Sequence, residues 1–226
     1  LKIAGVLAIL FFGYASYDSG FSVVNKKPNS IVYIENSDDK TAYFGTYNTT
    51  LDPYTSQIFD ETATKGNLKN AESKSKYNTR LKYHKKTVYK AIPSSNIVVD
   101  FDTIIGNKRY LELQITPTRK VNKYEFMTNR KVTLQQFKVN DAIVNDGKNY
   151  TVENGTFLIY YMSNLDKNIT LSFSINKDEK LAFLLNEISY DLLSDSNFSL
   201  KPRSKEMMPM PFVTNDAIII NKKITL

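Results

Sequence analysis

One histidine, His84, and no cysteine stand in a chain of 226 residues, and those two counts bound its chemistry before any element is assigned. A His-based catalytic zinc site takes two or three imidazoles, and a Ser-His-Asp relay holds its histidine between a nucleophile and a carboxylate. His84 instead sits in a cationic run, RLKYHKKTVYK from Arg80 to Lys90, where neighbouring charge opposes both metal binding and protonation. Without cysteine there is no disulfide, thiolate metal site or sulfur nucleophile. The glycine-rich phosphate loops and the HExxH and GxSxG patterns are absent as well.

Carboxylates alone can hydrolyse glycosides, which leaves Asp100 and Asp102 of NIVVDFD as the pair with catalytic spacing. On a strand, residues i and i+2 share a face with side chains roughly 7 Å apart, enough for an acid and a base. The same alternation turns Ile97, Val99 and Phe101 inward, so Asp100 and Asp102 read as the solvated side of that strand. Asp38 and Asp39 fall in the turn cluster Asn36 to Lys40, where aspartate bonds nearby backbone, and read as turn residues rather than calcium ligands. No catalytic residue and no metal ligand is assigned in this chain.

The net charge of +7 directs attention to anionic partners such as lipid headgroups or nucleic acid. Basic and aromatic residues interleave from Arg80 to Lys90 as they would in a single-strand groove. An antiparallel strand with one solvated lysine face shows the same pattern, and that strand is the reading taken, with no nucleic-acid partner. Fifteen Tyr and thirteen Phe, with no Trp, supply large bodies suited to half-buried pleated surfaces.

The front of the chain differs in kind. An apolar run, IAGVLAILFFGYA from Ile3 to Ala15, falls short of the roughly 20 residues that cross a bilayer. It reads as the end of a truncated membrane span, as the apolar core of a secretory signal, or as a buried core helix, and Asp18, Ser19 and Gly20 stop the helical pattern. Residues 1–17 are thus the end of a transmembrane helix or a signal segment, and under either of these readings residues 18–226 form an extracytoplasmic domain, periplasmic in a bacterium; the first reading also anchors it to the membrane.

Positioning within that domain falls to strands. IVYIE and AYFGTY flank a short polar loop and predict a hairpin. NTTLDPYTSQIF, with Pro53, predicts a turn into a short packed segment. Residues 60–76 have little to bury and predict a polar surface excursion with a short helix around Asn67 to Ser73. NIVVDFD with RYLELQI, KYEFM with VTLQQFKV, and TFLIYYM with ITLSFSI predict three further hairpins; KLAFLL and AIIINKKITL complete the set. Strands this short between polar turns predict an all-β fold, a β-sandwich of antiparallel hairpins behind the N-terminal apolar helix. In KPRSKEMMPMPF, Pro202, Pro209 and Pro211 deny backbone donors. That stretch should run extended, with Met207, Met208 and Met210 packed on the fold or presented as an adaptable surface.

Three stretches, KKPNSIVYIENSDDKTAYFGTY, LDPYTSQIF and KPRSKEMMPMPFVTNDAIIINKKITL, resemble the C-terminal soluble region of multi-spanning membrane zinc aminopeptidases. These are the vacuolar and endoplasmic-reticulum membrane metallopeptidases and their bacterial counterparts. The resemblance runs from Pro28 to Leu226, and the apolar run falls where the last span should end. It implies a non-catalytic accessory domain, with zinc held by a peptidase domain of the same polypeptide and no cofactor in this chain. It also implies a partner, that peptidase domain, which this domain packs on or gates. The contact surface is expected at exposed aromatics of the first hairpin, Tyr33, Tyr43 and Phe44, or at Met207, Met208 and Met210. The alternative is a membrane-tethered module that binds glycan or peptide on those aromatics.

Overall fold

The computed structural model of the chain describes residues 2–68, 77, 79–164 and 167–226. Helix α1 (Lys2–Asp18) ends where the Asp18, Ser19, Gly20 cluster predicts. Among the described residues no helix is long and apolar enough to cross a membrane. Strands follow almost without interruption: β1 (Lys27–Asn29), β2 (Val32–Asn36), β3 (Thr41–Thr46), β4 (Thr64–Lys65), β5 (Tyr83–Thr87), β6 (Asn96–Ile105), β7 (Lys108–Thr116) and β8 (Lys123–Thr128). The second half adds β9 (Val132–Val139), β10 (Ala142–Ile143), β11 (Tyr150–Val152), β12 (Gly155–Tyr161), β13 (Ile169–Asn176), β14 (Ala182–Ser189), β15 (Met207–Pro209) and β16 (Ala217–Thr225).

Among the described residues these strands make three sheets. The large one runs β12-β8-β14-β16-β2-β3-β5-β4, antiparallel except where β16 lies parallel to β2. The smaller runs β10-β9-β13-β7-β6, with β11 also on β9. A parallel pair, β1 with β15, stands apart. Period-two alternation gives each large sheet an apolar face. Leu111, Leu113, Ile169, Leu171, Leu134 and Phe137 of the small sheet share one buried cluster with Tyr124, Phe126, Phe157, Phe183 and Leu185 of the large one. Phe126, Phe157 and Phe183 form a triangle with ring centroids 5.8 to 5.9 Å apart, in the tilted and edge-to-face geometries that aromatic quadrupoles favour. The other half of the large sheet's inner face packs Tyr33, Phe44, Ile218 and Ile220 against Tyr54, Phe59, Ile92 and Leu192, which come from loops.

The first hairpin forms as the sequence predicts, β2 against β3, and so does β6 against β7; KLAFLL and AIIINKKITL lie in β14 and β16, which pair antiparallel. NTTLDPYTSQIF packs through Tyr54 and Phe59 around a 3-10 turn at Thr55–Gln57. Two expected hairpins are corrected. KYEFM lies in β8 of the large sheet, beside β12 and β14, while VTLQQFKV lies in β9 of the small one. TFLIYYM and ITLSFSI separate likewise, β12 pairing β8 and β13 pairing β7 and β9. In both cases the chain crosses between sheets, so that strands adjacent in sequence face one another across the core.

The inward face expected for β6 is also corrected. A register shift between Val99 and Phe101 leaves Asp100 as an extra residue, a β-bulge. Beyond it the facing reverses, because side-chain direction has period two. Phe101 pairs with Glu112 and is 50% exposed, and Val99, on the sheet edge, is 43% exposed. Of the polar excursion at 60–76, Thr64–Lys65 forms β4 against β5; residues 69–73 of the expected helix lie outside the described residues.

Candidate functional site

The Met strip is held by a polar knot that joins three distant parts of the chain. Pro202, Pro209 and Pro211 prevent a helix here, and β15 runs parallel to β1 with Met207 opposite Lys27, Met208 opposite Pro28 and Pro209 opposite Asn29. The Met210 N–H donates to Asn29 O at 2.8 Å. Beneath the strip, Arg203 donates through Nη1 and Nη2 to the two carboxylate oxygens of Asp216, and through Nε to Asn29 Oδ1. Its Nη2 also reaches Asn29 O and Asn215 Oδ1, at 3.1 and 3.3 Å. The guanidinium lies 4.3 Å from the centroid of the Tyr54 ring, a stacked cation. Asp216 holds φ at 51°, in the left-handed region that aspartate tolerates better than most residues.

Asp52 completes the knot from the other side. It accepts the N–H groups of Tyr54 and Thr55 at 3.0 and 2.9 Å, the Thr55 hydroxyl at 3.1 Å, and Asn29 Nδ2 at 3.2 Å. Lys27 Nζ lies 3.7 Å away. Burial by itself would raise its carboxyl, but the Thr55 N–H, the side-chain bonds from Asn29 and Thr55, and the Lys27 charge together hold it below the usual carboxylate range. Burial, and then the Asp216 charge, push the Tyr54 hydroxyl well above its ordinary value. Every guanidinium nitrogen of Arg203 already donates to protein, so the knot is a brace for the surface above it.

The six expected contact residues separate by depth. Tyr33 is fully buried and Phe44 nearly so; both face the inner side of the large sheet, and Tyr33 donates to Glu35 Oε2 at 2.7 Å. Their expected role as exposed aromatics is corrected. Ile31, Tyr33 and Glu35 share one strand face, and that face is the core. Tyr43, on the outer face, is half-buried with its ring edge-on to His84 at 6.1 Å. Met207 packs on the inner cluster and Met210 on the outer one. Met208 is 36% exposed and is the outermost of the strip.

The other groups with chemical capacity are committed. His84 Nδ1 lies 3.1 Å from Gly66 O on the surface. Asp102 accepts a bidentate pair from Arg109, at 2.8 and 2.6 Å. The bulge therefore breaks the face that Asp100 and Asp102 were expected to share. Ser95 Oγ has Glu187 Oε2 at 2.6 Å and the Tyr124 hydroxyl at 2.6 Å, the arrangement closest to an activated hydroxyl. It is buried beneath the sheets, where a substrate has no access. Among the described residues no three His, Cys, Asp or Glu side chains come together to hold a metal ion. A shallow concavity of about 720 Å³ opens beside Lys131, Asn176, Lys177, Asp178 and Glu179, with charges of both signs and no convergent set of donors.

Reading the sequence by strand patterns misses the knot, although part of it is legible. Asp52 and Thr55 have the spacing of a capping pair, Asp-x-x-Thr, which satisfies the free N–H groups of a helical turn. Arg203 gives no such signal, because its partners lie 174 residues back at Asn29 and 13 ahead at Asp216. No protein-family model matches the chain, and no curated protein does.

Proposed function

We propose that this chain is the non-catalytic, extracytoplasmic C-terminal domain of a membrane-bound zinc aminopeptidase, a β-sandwich that packs on or gates the peptidase domain of the same polypeptide. What supports the reading is the convergence of the three stretches that carry the resemblance. Asn29 of the first, Tyr54 and Gln57 of the second, and Lys201 and Arg203 of the third meet in one place. Arg203 stacks on Tyr54 and bonds Asn29, while Gln57 Oε1 accepts the Lys201 N–H at 2.8 Å. The knot holds Met207 to Met210 as a preformed strip, which lowers the entropic cost of a contact.

In this reading α1 is the end of the last membrane span. Zinc belongs to the peptidase half, and the short link between the halves lets a weak surface suffice, since effective concentrations across short flexible links are about millimolar. The alternative of an aromatic glycan or peptide platform loses Tyr33 and Phe44 to the core. The deciding experiment is to read the coding sequence upstream of Leu1. A zinc-peptidase domain followed by several spans is expected; an initiator codon directly before Leu1 would overturn the proposal.

A further inference from the structure

The turn after α1 carries three exposed apolar side chains on a backbone in which the N–H groups of Ser22, Val24 and Asn25 bond within the turn. The Ser22 N–H donates to Asn25 O at 2.8 Å, and the Ser22 hydroxyl accepts the N–H groups of Val24 and Asn25 at 3.2 and 3.0 Å. Asn25 Nδ2 returns to Gly20 O at 3.2 Å. On that frame Phe21 and Val23 are each 56% exposed and Val24 is 96% exposed. Apolar side chains gain by leaving water, and this turn turns them toward it.

The neighbouring elements say what meets them. Ile9, Leu10, Phe11 and Phe12 of α1 are all exposed, and four consecutive residues make a little over one helical turn. A helix at a water-facing protein surface keeps one apolar stripe; one apolar all round is surrounded by an apolar phase. The turn follows α1 after the short polar link at Asp18, Ser19 and Gly20. Beyond it come exposed Lys26 and then Lys27, whose ammonium lies 5.8 Å from the Phe21 ring centroid and 3.7 Å from Asp52 of the polar knot. Apolar helix, partly self-bonded apolar turn and two adjacent lysines follow the order of phases met on leaving a bilayer.

We infer that Gly20 to Asn25 inserts at the boundary between acyl chains and headgroups, and that Lys26 and Lys27 mark the headgroup level. This rests on the reading that α1 lies in a membrane, and it adds a second, shallow attachment. Because Lys27 reaches Asp52 and pairs in β1 with the Met strip, the attachment fixes the height of the knot above the lipid.

The chain contains no tryptophan, so single replacements report cleanly. Phe12→Trp, Val24→Trp and Val88→Trp are made in the 226-residue chain and reconstituted into phosphatidylcholine–phosphatidylglycerol vesicles, with and without lipids brominated high on the acyl chain. Trp at 12 and 24 should emit at shorter wavelength and lose most of their fluorescence to bromine, while Trp at 88 is quenched only by aqueous acrylamide. Bromine quenching at 12 but only acrylamide quenching at 24 overturns the inference and leaves the membrane reading of α1 standing. Aqueous behaviour at both overturns the two together, and bromine quenching at 88 as well overturns the inference in favour of general adhesion to lipid.

Discussion

Glu187 Oε2 accepts both the backbone N–H and the hydroxyl of Ser95, at 2.7 and 2.6 Å, and so fastens the segment that leaves the large sheet for the small one. Glu35 does the same a few residues earlier, its Oε1 taking the Ile92 N–H at 2.9 Å and its Oε2 the Lys90 N–H at 3.0 Å. Both carboxylates lie on the inner face of the large sheet and both are buried. The crossing segment between β5 and β6 has no ladder of its own there. Buried N–H groups need acceptors, and two glutamates supply them.

Glu187→Ala should therefore destabilise the chain by about 3 kcal/mol, the range expected when one member of a buried ion pair is removed. It strands the Ser95 N–H and leaves Arg119, whose Nε lies 3.3 Å from Glu187 Oε1, without that counter-charge. Denaturant unfolding of parent and variant in the same detergent measures the difference. A cost under about 0.5 kcal/mol, the usual size for surface positions, would show that the segment is held by packing alone.

Asp52 predicts a pH dependence. Its carboxyl is held below the ordinary value of 3.8 in the folded chain, so folding favours the charged form. The contribution is complete above the unfolded value and is lost as pH falls through the folded one. Asp52→Asn should lower the melting temperature by a constant amount from neutral pH down to about 4, and the gap from the parent should close below that. Melting curves at stepped pH check it, and a gap as wide in strong acid as at neutrality would refute it.

The buried glutamates show how much was legible in the sequence. Ile31, Tyr33 and Glu35 alternate on one face, as do Leu185, Glu187 and Ser189, so a carboxylate at core parity marks a buried charge in each run. Hairpins were legible where a tight turn closes them: Gly106, at φ 61°, turns β6 into β7, a conformation glycine adopts without strain. KYEFM and VTLQQFKV lack that chemistry at Asn129 to Lys131. Period two fixes which side chains face the core, and it is silent on whether the next strand joins the same sheet or the opposite one. The bulge at Asp100 escaped for a related reason, since one added residue reverses every later facing without altering the local pattern of NIVVDFD.

β6 is the ten-residue edge of the small sheet among the described residues, with Val98, Val99, Phe101, Ile104 and Ile105 exposed and no lysine or arginine between Asn96 and Ile105. Edge strands ordinarily carry charge that discourages pairing with other chains. Phe101→Lys with Ile104→Lys should raise the concentration at which the chain stays dispersed and change the stability by less than about 1 kcal/mol, because neither side chain is in the core. Light scattering against concentration, with melting curves alongside, tests both parts. An unaltered onset of scattering would show that the edge is already covered.

The Met strip makes the last prediction, and its geometry selects the residue to change. Met207 and Met210 are half-buried against the inner and outer clusters, so replacing them mixes a packing loss with any loss of contact. Met208 points outward between them on a strand that β1 and the Arg203 knot hold in place. In the full-length parent of the proposed reading, Met208→Ser should change stability by no more than about 0.5 kcal/mol. It should nonetheless lower peptidase activity at matched expression, since methionine is favoured at interfaces and serine is not. A photoreactive side chain at position 208 should crosslink to the peptidase half. Arg203→Lys, which keeps the charge but loses the fork onto Asp216 and the stack on Tyr54, should weaken the crosslink without altering the surface itself. Full activity in Met208→Ser together with no crosslink from position 208 would remove the strip as the contact.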